Sequence, residues 1–258
     1  MSVGYNDYRI FCCPRTGSTP LGCWILSAYC PPKEPPAGGL PGRTLYTESN
    51  LPVRYVEGDA PNGTFLTATN ACYGGVDGAN IVSVEKWEWA NLEQIDWDGI
   101  ALQEGVLADP VRRVNIVLVR DAFNWAASCL ASNKTPLQTS LWKQHAREFL
   151  GETHHIPEPC VPVNFNRWFA SARYRAAVAD ALALPTADNG LDVYWSPTSF
   201  KGPETPASPR DQHVFGRWKT RQRKAAFAGL FDDEMCRLSD EIFGIDWSAD
   251  LGGEGGNS

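Results

Sequence analysis

Six consecutive residues near the amino terminus combine the chemical groups that bind phosphate or sulfate. The segment Pro14-Arg15-Thr16-Gly17-Ser18-Thr19 follows the apolar run Tyr8–Cys13 and precedes a segment with apolar residues at helical spacing. A loop at this place brings backbone N–H groups, a helix dipole, hydroxyl groups and one guanidinium to a single anion. The alternative is a strand–helix turn whose threonine and serine only cap the helix. The loop alone fits both interpretations equally well.

A second candidate anion-binding segment begins at Arg120, directly after the continuous apolar run Val114–Val119. Such a run is typical of a parallel strand that is covered on both faces. Ligands of open α/β sheets bind at the carboxyl ends of the strands. Ser128, eight residues further on, would face the same crevice from the next helix. The structural alternative is a salt bridge between Arg120 and a nearby carboxylate.

Both segments resemble motifs of the sulfotransferase superfamily. Pro14–Thr19 is similar to the family's 5′-phosphosulfate loop, which commonly reads Pro-Arg-Ser-Gly-Thr-Thr. Arg120 and Ser128 have the spacing of the arginine and serine that form the family's 3′-phosphate site. The stretch Val117–Trp125 resembles the strand and Arg-Asp-Pro sequence of that site, although Ala122 replaces the usual proline.

The resemblance implies a sulfuryl donor, 3′-phosphoadenosine-5′-phosphosulfate (PAPS), which leaves as 3′-phosphoadenosine-5′-phosphate (PAP). It implies no metal. By resemblance, the 5′ end of the donor binds Arg15, Thr16, Gly17, Ser18 and Thr19, and its 3′-phosphate binds Arg120 and Ser128. Arg15 would also steady the bridging oxygen that becomes the leaving group.

Two segments nearer the carboxyl terminus extend the resemblance. Pro197–Lys201 resembles a Thr-Ser-Phe segment of the family, which implies that the donor's adenine end contacts Thr198, Ser199 and Phe200. Phe200 would stack on the purine, and the alternative is a core aromatic beside a polar turn. The Asn164–Trp168 segment is also similar to bacterial family members, and we assign it to packing.

Gly216-Arg217-Trp218-Lys219 resembles the family's Gly-Asp-Trp-Lys stretch, which follows a basic loop at the 3′-phosphate. The usual Arg-Lys-Gly of that loop is missing, and Arg210 and Arg217 are the candidates to replace it. The basic residues between Arg210 and Lys224 produce a local positive field that suits a polyanionic donor. The alternative for most of them is the solvated face of a helix.

Sulfuryl transfer also needs a base that accepts the proton of the acceptor's hydroxyl or amine. Family members use a glutamate downstream of the loop or a histidine on a later strand end. Glu48 is the best positional match to the glutamate, and Glu57 is second; a solvated carboxylate is the alternative for both. The residues around Ala68–Asn70 lack the Lys-Thr-His pattern of the histidine type. His145, on an amphipathic helical segment, is a further alternative.

The elements that must position these residues alternate between strand and helix patterns. This predicts an α/β fold, a three-layer sandwich with a central mainly parallel sheet, and the resemblance implies the P-loop NTPase-like sulfotransferase fold. Strands are predicted at Tyr8–Cys13, Thr64–Thr69, Ile81–Val84, Val114–Val119, Val161–Phe165 and Asp192–Trp195. Helices are predicted at Leu21–Ala28, Phe123–Ala131, Asn166–Leu184, Arg217–Phe231 and Asp233–Phe243. We expect Cys30–Pro61, rich in Pro and Gly, to be mostly irregular.

Composition limits the class of protein. Of the 258 residues, 43% are hydrophobic and 21% charged, which is typical of a packed globular chain. We expect one sulfotransferase domain over residues 1–258 with a disordered tail, Gly252–Ser258. The net charge of -7 disfavours a nucleic-acid partner. The eight cysteines have no metal-type spacing, so reduced thiols are expected.

No apolar stretch approaches the roughly 20 residues of a membrane span, and Met1–Arg9 lacks the pattern of a signal peptide. We therefore predict a cytoplasmic protein without membrane contact. The predicted function is a PAPS-dependent sulfotransferase that acts on a hydroxyl or amine of a small-molecule or carbohydrate acceptor. The acceptor and the oligomeric state stay open. The alternatives are a catalytically inactive PAP- or nucleotide-binding module and a P-loop-type kinase, although the loop lacks the Walker A spacing and lysine.

Overall fold

The computed structural model describes residues 5–29, 53–60, 63–70, 78–85, 110–132, 138–185, 191, 218 and 229–244. The strands in these ranges are β1 (Tyr5–Cys12), β2 (Val53–Ala60), β3 (Gly63–Asn70), β4 (Gly78–Glu85), β5 (Arg112–Val119) and β6 (Cys160–Asn164). The helices are α1 (Ser18–Tyr29), α2 (Ala122–Ser132), α3 (Thr139–Leu150), α4 (Phe165–Ala170), α5 (Ala172–Leu182) and α6 (Asp233–Phe243). Within these ranges, no helix has the length and apolar character to cross a membrane.

The strands form one sheet in the order β2-β3-β4-β1-β5-β6. Strands β4, β1, β5 and β6 pair in parallel, whereas β2 and β3 add antiparallel pairings at one edge. The chain is therefore a mixed α/β protein with parallel strands at the centre of the sheet, as the alternating patterns predicted. Because β1, β5 and β6 are parallel, their carboxyl ends meet at the same edge.

Helices cover both faces of the parallel strands. Successive side chains of a strand point to opposite faces, so Tyr8 and Ile10 of β1 belong to one hydrophobic cluster and Phe11 belongs to the other. The first cluster includes residues of α1, α4 and α5. The second includes residues of α2, α3 and α6. Burial on both faces explains the continuous apolar run of β5, whose last six residues are all buried.

The helix predicted over Asn166–Leu184 is wrong in one respect, because the structure divides it into α4 and α5. Ser171 between them has an extended backbone, with φ -126° and ψ 113°, and its hydroxyl accepts a hydrogen bond from Tyr174 N at 3.2 Å. The buried Arg175 donates to the carbonyl oxygens of Trp168 and Phe169 at the end of α4. Local side-chain bonds thus replace the helical bonds at the break.

The segment expected to be mostly irregular, Cys30–Pro61, contains the strand β2. Each of its residues from Val53 to Ala60 pairs with β3, so the prediction was wrong for this part. The backbone hydrogen bonds of an antiparallel ladder outweigh the weak strand preference of Gly58 and Asp59. The rest of that segment lies outside the described residues.

Several other predictions also fall outside the described residues. These are the strand Asp192–Trp195, the tail Gly252–Ser258 and most of the helix Arg217–Phe231, at whose end residues 229 and 230 form a turn. By contrast, α6 has the predicted bounds Asp233–Phe243. Strands β1, β3, β4, β5 and β6 and helices α1 and α2 overlap their predicted segments, whereas α3 was predicted only as an amphipathic helical segment around His145, without bounds.

Candidate functional site

The two central strands β1 and β5 send the helices that follow them to opposite faces of the sheet. Helix α1 packs on the face that carries Tyr8 and Ile10, whereas α2 packs on the face that carries Phe11 and Val117. In open α/β sheets, such a divergence opens a crevice at the carboxyl ends of the two strands, and ligands bind there. Both predicted anion-binding segments begin at this crevice.

The loop after β1 is a tight turn that leads directly into α1. Thr16 N donates to the carbonyl oxygen of Cys13 at 3.2 Å, so Pro14 and Arg15 occupy the two central positions of the turn. Arg15 has a positive φ of 69°, and Gly17 has a φ of 112°. The carbonyl oxygen of Gly17 then accepts the first helical bond, from Leu21 N at 3.2 Å. The turn therefore aims the chain into the helix amino terminus, where N–H groups have no helical partner.

Two polar atoms of this loop fit a bound anion. Thr16 Oγ1 and Arg15 Nε are buried and have no hydrogen-bond partner in the part of the chain that the structure describes. A buried polar atom without a partner is costly, and an anion in the crevice would supply one. The interpretation of Thr16 as a helix cap does not fit this arrangement, because Gly17 precedes the first helical residue, Ser18. Ser18 is buried, and Thr19 lies in the first turn of α1.

Arg120 lies next to this loop at the end of β5. It is buried, and its Nη1 donates a long hydrogen bond of 3.4 Å to the carbonyl oxygen of Arg15, across 105 residues of chain. The carbonyl oxygen of Arg120 accepts from Trp142 Nε1 at 2.9 Å. The structure thus brings together the two segments that contain the predicted anion-binding arginines, Arg15 and Arg120.

Helix α2 holds the same loop from its other side. Trp125 Nε1 donates to the carbonyl oxygen of Pro14 at 2.9 Å, and Cys129 Sγ lies 3.9 Å from that oxygen. Ser128 is buried on this helix, beside Cys129 and one turn beyond Trp125. The predicted serine is therefore on the part of α2 that adjoins the loop.

Asp121 joins the start of α2 to the start of α4. Its fully buried carboxylate accepts hydrogen bonds from Asn124 N at 2.8 Å and from Asn166 Nδ2 at 2.9 Å. The first of these is an N-cap bond, because Asp121 precedes the first helical residue, Ala122. The carboxylate next to Arg120 is therefore used to fix two helix starts.

Phe165 packs in the hydrophobic core, as the sequence analysis predicted for its segment, and it also adjoins the crevice together with Asn166. They follow β6, which lies beside β5 and ends at the same edge of the sheet. The guanidinium carbon of Arg120 lies 5.2 Å from the centroid of the Phe165 ring. Their position directly after a parallel strand was the signal that would have identified them.

His145, the histidine considered as a base, lies in the protein interior. Its Nδ1 is 2.9 Å from the carbonyl oxygen of Leu141 and 3.5 Å from Cys13 Sγ. A carbonyl oxygen only accepts, so Nδ1 carries the hydrogen in this arrangement. Burial lowers the pKa of His145 to about 4. His145 is 2% exposed. It contacts Cys13, the residue before the loop, and is not accessible to an acceptor substrate.

The other predicted site residues are outside the described residues. These are Glu48, Thr198, Ser199, Phe200, Arg210 and Arg217, while Glu57 is described only as a backbone position on β2. Trp218, which follows Arg217, is described and buried. Its ring centroid lies 5.4 Å from that of Phe123 in the first turn of α2. Trp218 therefore packs on the helix that begins beside Arg120.

Within the described ranges, no cluster of three His, Cys, Asp or Glu side chains has the arrangement of a metal site. Five cysteines in these ranges are free thiols: Cys12, Cys13, Cys129, Cys160 and Cys236. Cys13 and Cys129 contact His145 and the loop backbone, respectively. The cysteines near the crevice therefore act as small packing residues.

Comparison of the sequence with protein-family models and with curated proteins finds no match for the chain. A function therefore has to be inferred from the chemistry of the crevice. That chemistry combines two arginines, a helix amino terminus and a buried threonine hydroxyl. These groups lie at the carboxyl ends of β1 and β5, the two strands whose following helices pack on opposite faces of the sheet. These groups suit a ligand that carries more than one anionic group.

Proposed function

We propose that this protein is a sulfotransferase of P-loop-like fold that transfers a sulfuryl group from PAPS to a hydroxyl or amine. The observation that carries the proposal is the hydrogen bond from Arg120 Nη1 to the carbonyl oxygen of Arg15. It joins the two segments that resemble the family's 5′-phosphosulfate and 3′-phosphate motifs. A single nucleotide with a phosphate group at each end would engage both.

The residues of the crevice fit such a donor. The loop N–H groups, Arg15 Nε and Thr16 Oγ1 would bind the 5′-phosphosulfate end, where the two side-chain atoms have no other described partner. Arg120 and Ser128 would bind the 3′-phosphate. Arg217 stays a candidate for the 3′-phosphate, and Trp218, the residue after it in the sequence, packs on Phe123 at the start of α2.

Each group would serve a defined part of the chemistry. Transfer breaks the bond between sulfur and the bridging oxygen and forms a new bond from sulfur to the acceptor. The Arg15 guanidinium and the positive end of α1 would stabilise the negative charge that develops on the leaving oxygen. A base would accept the acceptor's proton. Glu48 stays the candidate for that base.

Binding calorimetry with PAP, PAPS and ATP tests the donor assignment. We expect PAP to bind without Mg²⁺, and Arg15→Ala and Arg120→Ala to weaken it by about 10- to 100-fold, because each removes a charged hydrogen bond. Arg113→Ala is the matched control. Arg113 is half-exposed at the opposite end of β5 from Arg120, so wild-type affinity is expected. Absence of PAP binding, or tight Mg²⁺-dependent ATP binding, would contradict the proposal.

Transfer itself is measured with PAPS that carries labelled sulfate and a panel of alcohols, phenols, amines and sugars. Label in an acceptor, lost in Arg15→Ala, is the expected result. If PAP binds well but label never leaves PAPS across the panel, the chain is a nucleotide-binding module without transferase activity.

A further inference from the structure

The aromatic ring of Phe165 lies against the two arms of the crevice. On one side it contacts the loop so closely that a methyl group on Gly17 would be 2.2 Å from Phe165 Cε2. On the other side the guanidinium carbon of Arg120 is 5.2 Å from the ring centroid, which is within the range of a cation–π contact. One side chain therefore touches both the loop and the arginine at the end of β5.

Neighbouring aromatic rings of the same helix pack against the ring of Phe165. Its centroid lies 5.7 Å from that of Trp168 and 6.0 Å from that of Phe169, and its side chain is 2% exposed. The helix that carries it is fixed at its start by Asn164, whose side chain accepts from Arg167 N at 3.0 Å. Asn166 ties the same turn to Asp121. The ring therefore has little freedom to move relative to the ends of β5 and β6.

We propose that Phe165 is a positioning residue that sets the distance and orientation of Arg120 relative to the loop Pro14–Gly17. The face of the ring attracts the planar guanidinium, and the ring atoms Cδ2, Cε2 and Cζ pack against the loop at Gly17. The spacing between the two anion-binding arms is thereby matched to a ligand with two phosphate groups. This inference rests on the proposed function, because it assigns one phosphate to each arm.

The two arms depend on Phe165 to different extents. The loop has a second support, the hydrogen bond from Trp125 Nε1 to the carbonyl oxygen of Pro14, so it keeps its place when the ring is lost. The guanidinium of Arg120 loses a contact that orients its plane. Removal of the ring should therefore weaken a ligand that uses both arms more than a ligand that uses the loop alone.

The test compares PAP with AMP, which lacks the 3′-phosphate, in calorimetry on Phe165→Leu. We expect the ratio of PAP affinity to AMP affinity to fall by about 3- to 30-fold, the factor that corresponds to one cation–π contact. Phe169→Leu is the matched control, because it removes another aromatic ring of the same helix, whose centroid lies 6.0 Å from that of Phe165. Its ratio should equal that of the wild type.

A Phe165→Leu protein that is folded and keeps the wild-type ratio would overturn the inference and leave the proposed function intact. Failure of the wild type to bind PAP would refute the proposed function and the inference with it. If the leucine variant does not fold, Phe165→Met replaces the ring with a flexible side chain and gives the same comparison. A merely structural role would lower thermal stability and leave the PAP-to-AMP ratio unchanged.

Discussion

Arg15 carries its guanidinium on a strained backbone. Its φ of 69° lies in the left-handed region, which costs a residue with a Cβ atom roughly 1–2 kcal/mol relative to glycine. Pro14 precedes it, and a turn with proline at its first central position commonly has glycine at the second. Strain of this kind is concentrated at functional sites, which is consistent with the role proposed for the Arg15 side chain.

Comparison of Arg15→Gly with Arg15→Ala separates the backbone strain from the charge. Both variants should lose PAP affinity to the same extent. Arg15→Gly should be about 0–1 kcal/mol more stable than Arg15→Ala, because relief of the positive φ outweighs the greater freedom of glycine in the unfolded chain. Urea unfolding measures the free energy. A glycine variant that is clearly less stable than the alanine variant would show that Arg15 is not strained.

At the level of secondary structure, the crevice is formed where three helices begin. Helices α1, α2 and α4 all begin directly after strands that end at one edge of the sheet. The start of α2 is joined to α4 through Asp121 and Asn166. This junction carries Arg120 on one side and Phe165 on the other, so its stability determines how well the site is held.

Asp121→Ala should therefore cost more than removal of an ordinary helix cap. It removes an N-cap worth about 0.5–2 kcal/mol and also the acceptor of the buried Asn124 amide and the partly buried Asn166 amide, which adds about 1–3 kcal/mol. We expect the free energy of unfolding to fall by about 2–4 kcal/mol in urea titrations. Ser171→Ala, which removes only the cap of α5, is the control and should cost about 0.5–2 kcal/mol. Equal losses of unfolding free energy in Asp121→Ala and Ser171→Ala would show that Asp121 does not join the starts of α2 and α4.

The response of the whole molecule to acid depends on a histidine buried between α3 and the sheet. Burial lowers the pKa of His145 from 6.5 to about 4, although Leu141 and Glu148 favour the protonated form. Between these values the unfolded chain binds more protons than the folded chain, so stability falls as the pH falls. Hydrogen-bonded ion pairs with Lys143 and Arg147 lower the pKa of Asp232 below 3.8 and that of Glu234 below 4.5. Protonation of these two carboxylates therefore affects stability at a lower pH than protonation of His145.

We accordingly expect the free energy of unfolding of the wild type to fall by about 2 kcal/mol between pH 7 and pH 5 through His145 alone. His145→Asn, whose amide can still donate to Leu141, should lose this part of the pH dependence. His154→Asn, at an exposed position, should retain it. Urea titrations at the two pH values provide the measurement, and an unchanged pH dependence in His145→Asn would contradict the assignment.

Much of the fold was readable from local patterns. The apolar run of β5 and the amphipathic segment of α6 predicted those elements, because burial on two faces or one face leaves a direct pattern in the residues. The break at Ser171 was missed because it depends on two side-chain hydrogen bonds in place of helical ones. The Ser171 hydroxyl accepts from Tyr174 N, and Arg175 donates to the carbonyl oxygen of Trp168. Strand β2 was missed because Gly58 and Asp59 have a weak strand preference, although its partner β3 follows it directly as the second strand of a hairpin.

The sequence by itself determined the chemistry of the loop: a guanidinium, hydroxyl groups and a glycine between an apolar strand and a helix. These are local properties, since they depend on neighbours along the chain. Only the tertiary structure decided that Arg120 bonds to the loop and that Phe165 contacts both Gly17 and Arg120. The physical reason is that the parallel pairing of β1, β5 and β6 brings distant strand ends to one edge, and no local pattern specifies which strands become neighbours.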